Sequence, residues 1–204
     1  MPTTLSDDLA YVRDIAESGA SAPLLGGRFL VWWGALVTAA YIAHYTIIIR
    51  SLPPQYIGMM WFGFIAVALG GYVLMIRFFP AGKPGASSAG NRVSSHVWMA
   101  AGLVLFSFFT GVTIKSLIDG QASMGFSWSI PLVLGVYGIA QLVSGLMANS
   151  RALVCAGYAA IASVGLTALI VDRAELYLAA ALAAAVTVLI PGILLIREEP
   201  STTV

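Results

Sequence analysis

The chain has 204 residues, of which 59% are hydrophobic and only 9% charged, and its net charge is +1. Soluble domains carry about 25% charged residues, so composition argues against a water-soluble fold and for one that lipid can cover. The balanced charge offers no basic surface for nucleic acid, and the lone Cys155 leaves no partner for an intrachain disulfide or a CxxC site.

Residues 1–27 read as a leader. Within it, TLSDDLAYVRDIAES (4–18) predicts a short amphipathic helix. Thr4 with Asp7 three residues later is a capping-box pattern, and Asp7 and Asp8 suit the positive end of the helix dipole. Leu5, Leu9, Val12 and Ala16 fall on one stripe of a 3.6-residue helix. Gly19 stops it, and Pro23 with Gly26-Gly27 makes a bend. No cleavable signal is visible, because the first apolar stretch begins near Phe29 and the segment before it is acidic. Four acids, Asp7, Asp8, Asp14 and Glu17, face a single Arg13. Anionic lipid attracts basic helices, so a basic protein surface is the better dock for this one.

The first membrane span is predicted at 28–50. No Asp, Glu, Lys or Arg lies between its terminal arginines, Arg28 and Arg50. Twenty-three residues of helix reach roughly 34 Å, enough for a ~30 Å hydrocarbon layer. Pro53-Pro54 turns the chain into a second span at 56–79, where Ala66 and Gly70 offer a small-xxx-small contact. The stretch 80–95 is rich in Gly, Ser and Pro and reads as a flexible loop. Spans three to six follow at 95–119, 128–149, 152–171 and 176–196, all within a transmembrane domain of 28–197, and 198–204 is a tail. Pro131 is expected in a first turn, where it costs little. Pro191 lies deep in span six and should kink it or need a neighbour's help.

Six spans sort the basic residues seven against three. Arg13, Arg28, Arg77, Lys83, Arg92, Arg151 and Arg197 fall on one side, and Arg50, Lys115 and Arg173 on the other. The positive-inside rule then predicts that both termini are cytoplasmic. The even spans end GYVLMIR, GLMANSR and GILLIR, while spans one and three open VWWG and VWMA. Three hairpins in series would give this pattern, and so would topology alone, which places arginines and tryptophans at interfaces. The expected fold is an all-α integral membrane protein: a six-helix transmembrane bundle, with three hairpins as one way to build it, and an amphipathic cytoplasmic helix at its N-terminus.

The stretch DLAYVRDIAESGASAPLLGGR, 8–28, resembles the start of small multi-pass inner-membrane proteins of bacteria to which no activity is attached. With span one, the resemblance covers about a fifth of the chain. It implies a bacterial inner-membrane home and brings no catalytic residue with it.

Ionisable groups inside a membrane are the first places to look for chemistry. His44 and Lys115 both fall in the outer part of the bilayer, and Lys115 can pair with Asp119 at i, i+4. Tyr41, His44 and Tyr45 share one helix face. An outward polar pocket of His44, Lys115, Tyr41, Tyr45 and Asp119 is one reading. Its bland counterpart is a snorkelling lysine and a histidine bonded to a nearby tyrosine or carbonyl. Gln141, Ser144 and Asn149 form the polar stripe of span four and read as interhelical contacts. Thr110, Gly111 and Thr113 of span three read the same way. His44 and His96 differ by roughly 20 Å in depth, so one haem or zinc ion cannot bridge them, and no cofactor is expected. Walker A, GxSxG, HExxH and GxGxxG patterns are all absent, which argues against an enzyme.

Two function classes remain. One is a non-catalytic membrane component (a sensor, regulatory or accessory subunit) whose acidic leader docks on a basic cytoplasmic face. That face is its own, with Arg77, Lys83, Arg92 and Arg151, or a protein partner's. The alternative is a small-solute or ion permease or channel built around His44 and Lys115.

Overall fold

The computed structural model describes Leu9, residues 24–78 and residues 87–199, and the regular elements within them are all helical. Among the described residues, six helices are long and apolar enough to cross a membrane. They are α1 (Gly27–Ile49), α2 (Gln55–Phe78), α3 (Ala89–Asp119), α4 (Gly125–Met147), α5 (Arg151–Ala168) and α6 (Glu175–Glu198). The chain reverses direction between successive helices, so Leu24 and Glu199 lie at the same end of the bundle, here called the near end.

Three boundaries depart from the sequence expectation. Helix α3 begins at Ala89, six residues early, because Ser88 caps it: its Oγ accepts the Asn91 N–H at 3.2 Å. The last part of the expected 80–95 loop is therefore helix. Helix α4 begins at Gly125, so Pro131 lies inside it rather than in its first turn. Helix α5 stops at Ala168, and a turn region covers 169–174.

Close packing is concentrated in two pairs. In α4–α5, a Cβ at Gly157 would lie 2.8 Å from the Leu142 nitrogen and 2.9 Å from the Gly138 oxygen, and one at Gly145 would lie 2.8 Å from the Val154 nitrogen. In α1–α6, a Cβ at Gly27 would lie 2.7 Å from the Ile196 nitrogen, and one at Gly192 2.7 Å from the Val31 nitrogen. Backbones approach this closely only where side chains are missing, and the close approach adds dispersion contact between the helices. Residues Val37, Tyr41, Ile130, Leu134, Leu176 and Ala180 join both pairs in one buried cluster.

The remaining helices are peripheral. Helix α2 leans on α1 through aromatic contacts: Phe29 on Tyr72, Trp33 on Phe64, and Tyr41 on Trp61, with ring centroids 5.5, 6.3 and 5.7 Å apart. Trp32 lies against Gly71, and its Nε1–H donates to the Ala68 oxygen at 3.3 Å. Helix α3 leans on α4. The expected hairpin of α5 with α6 is thus subordinate to the α4–α5 and α1–α6 pairs.

Candidate functional site

At the far end, the α1 face carrying Tyr41 and His44 turns inward, and both residues are buried. The Trp61 Nε1–H donates to His44 Nδ1 at 3.2 Å, which leaves the ring proton on Nε2. Tyr177 stacks on the imidazole with centroids 3.7 Å apart. The polar partner of His44 is therefore an indole, and its surroundings are aromatic. Tyr45 is half-buried.

Lys115 does not join this cluster. It lies on α3, bonds Asp119 Oδ2 at 2.7 Å along its own helix, and is 65% exposed. Thr110 and Gly111 on the same helix are exposed, as is Thr113. Among the described residues, helix α3 packs chiefly on α4, so most of its circumference meets no other helix. His96 is exposed too, with Nδ1 2.7 Å from the Arg92 oxygen. Among the described residues no group of three His, Cys, Asp or Glu side chains could hold a metal ion.

In mid-bundle, the polar stripe of α4 divides. Gln141, fully buried, donates from Nε2 to the Thr187 oxygen at 2.6 Å. Ser144, equally buried, bonds Ser94 of α3 at 3.0 Å. Both are contacts between helices. Asn149 is not: it is exposed in the α4–α5 turn with φ of 53°, a left-handed conformation its short polar side chain tolerates. The Gln141 bond has a definite cause. Pro191 has no N–H for the carbonyl four residues back, which belongs to Thr187, and its ring crowds that carbonyl. Helix α6 widens into a π-turn at Ala185–Leu189, and α4 supplies the donor.

The near end holds the densest polar construction. Asn91 Oδ1 accepts the Leu25 N–H at 2.8 Å. Glu199 Oε1 accepts the Gly26 and Gly27 N–H groups at 3.3 and 3.2 Å, and its Oε2 lies 3.9 Å from Arg28 Nε. The carboxylate thus sits on the positive end of α1 while the side chain is only 5% exposed. Beside it, a cleft of about 390 Å³ is lined by Leu24, residues 148–152, Leu195 and Glu198. Residues 24–28, where the leader enters the bundle, are clamped between the start of α3 and the end of α6.

No family model, no curated protein and no solved structure matches this chain.

The helix order places Arg28, Arg77, Arg92, Arg151 and Arg197 at the near end and Arg50, Lys115 and Arg173 at the far end. Arg77, Arg92 and Arg151 are exposed. Asp7, Asp8, Asp14, Glu17 and Lys83 lie outside the described residues. Leu9, on the expected apolar stripe, is helical and exposed. Sequence reading missed Asn91, Glu199 and Thr187. A count of four back from Pro191 points to Thr187, and the S-x-x-N spacing at 88–91 points to a cap. Nothing local marks Glu199.

Proposed function

We propose that this chain is a non-catalytic component of the bacterial inner membrane, with both termini in the cytoplasm and its near end as the working face. On this reading the acidic leader docks electrostatically on the arginine-rich near end or on a basic partner protein, and the bundle serves as its membrane-fixed mount. The observation that carries it is the clamp on residues 24–28. A leader that did nothing would not need its root bonded to two other helices through Asn91 and Glu199. The excess of arginine at the near end, the six apolar helices and the resemblance of residues 8–28 support the membrane setting and its sidedness.

The permease reading has less to support it. It needs His44 and Lys115 to face one polar space. Instead His44 is stacked and bonded among aromatic rings, and Lys115 is paired with Asp119 on the exposed α3.

Two measurements test the proposal. Converting Asp7, Asp8, Asp14 and Glu17 to lysine in the full chain should speed hydrogen exchange across the leader, and added salt should do the same to the unaltered chain. Exchange indifferent to both removes the electrostatic dock. A periplasm-dependent reporter fused after Val204 should stay dark; activity there would reverse the sidedness.

A further inference from the structure

Helix α6 is jointed rather than uniform. Its outer part, Glu175–Ala184, and its last part, Ile190–Glu198, are both α-helical, and between them Ile190 N–H reaches back five residues to the Ala185 oxygen. Such a turn has one residue too many for the helix, so the two parts are free to meet at more than one angle unless something outside fixes it. Two neighbours meet this turn: α1 packs on it at Gly34, where a Cβ would lie 2.7 Å from the Leu189 nitrogen, and the hydrogen bond to it from another helix comes from Gln141. Gln141 belongs to α4, a rigid post whose glycines bring it into backbone contact with α5. The Thr187 hydroxyl is already turned back to the Ala183 oxygen at 2.7 Å, so only the Thr187 carbonyl faces the amide. Among the described residues, Gln141 Oε1 is buried without a hydrogen-bond partner. The amide is therefore held at one end only, by the carbonyl that Pro191 cannot serve.

The segment beyond the joint carries the clamp. Glu199 follows Thr187 by twelve residues, about 18 Å along a helix, so a bend of about 10° at the joint displaces its carboxylate by about 3 Å. That is a whole hydrogen-bond length. Between joint and carboxylate, Gly192 and Gly27 bring the two backbones into contact, so the start of α1 moves with the end of α6, the Glu199 bonds travel with it, and the strain falls on the bond that ties the root to a third helix. Leu25 is tied elsewhere, to Asn91 on α3, so the same motion pulls its N–H off the Asn91 oxygen.

We propose that the π-turn of α6 is a joint locked by Gln141, and that this lock decides whether the root of the leader stays clamped at the near end. A disturbance in mid-membrane that loosens the Gln141–Thr187 bond would thereby free the leader. The inference rests on the reading that the clamp is the functional end of the molecule.

Hydrogen exchange of the 24–28 amides, measured on the full chain in lipid nanodiscs, tests it. Gln141→Leu keeps the volume and removes the donor, and should speed exchange there by about tenfold. Pro191→Ala alone should leave exchange unchanged. The double variant should be restored, because an alanine in place of the proline supplies the N–H that the Thr187 carbonyl lacked. Exchange in Gln141→Leu that matches the original chain, while Glu199→Ala speeds it, overturns the joint and leaves the clamp standing. Exchange as fast in the double variant as in Gln141→Leu also overturns it, since the effect would not run through that carbonyl. Glu199→Ala without effect removes the clamp and the proposed function with it. Should Gln141→Leu fail to assemble, recovery of assembly by Pro191→Ala supports the lock, and no recovery overturns it.

Discussion

Helices α2 and α4 are nearly the same length and both are apolar enough for a membrane, yet they occupy opposite situations. Ten residues of α4 are buried, from Ser129 to Gly145; in α2 only Ala68 is. Glycines show why. Gly145 of α4 meets backbone of α5 at a distance no Cβ could share and Gly138 is crowded by the Ile161 side chain at 2.7 Å, while Gly58, Gly63 and Gly70 of α2 meet nothing within 4 Å among the described residues. The expected Ala66–Gly70 contact is therefore not made among the described residues, and both residues are exposed. A small-xxx-small pattern licenses close approach without naming the helix that approaches. Hydropathy marks a segment as apolar enough for a membrane, and the partner's surface decides whether it is core or rim.

This contrast can be broken by substitution. The largest effect is expected from Gly157→Val, whose added atoms collide with the Leu142 and Gly138 backbones; it should cost about 3 kcal/mol or more in detergent unfolding. Gly63→Val in α2 should change stability by less than about 0.5 kcal/mol. Equal losses would mean that α2 is as tightly enclosed as α4. Next comes Trp32→Ala, which removes the ring against Gly71 and the bond to Ala68; it should cost about 1–2 kcal/mol and loosen α2 alone. Crosslinking between α1 and α2 should fall while that between α4 and α5 holds. Ser144→Ala deletes one buried hydroxyl pair and should cost about 0.6 kcal/mol. Smallest is Lys115→Met, expected to cost under about 0.5 kcal/mol because its pair with Asp119 is largely exposed. A loss of several kcal/mol there would restore Lys115 as a buried functional group.

The site was legible in proportion to how local its causes are. Pro191 announced a missing donor from sequence alone, because a proline's deficit is fixed by covalent structure. That Gln141 answers it required knowing which face of α4 meets α6. Lys115 and Asp119 paired as their spacing required, since four residues of helix set their distance. His44 and Lys115 shared a depth but not a neighbourhood, because depth follows from residue counting and lateral position does not.

The sequence by itself determined six apolar helices, their alternation and the crowding of arginine at one end, since each follows from backbone hydrogen bonding and from where charges sit along the chain. Tertiary structure alone decided that α1 pairs with α6, that α2 and α3 are rim, and that Glu199 seats on the start of α1. That last contact joins groups 172 positions apart in the chain, and no local pattern encodes which two distant surfaces will fit.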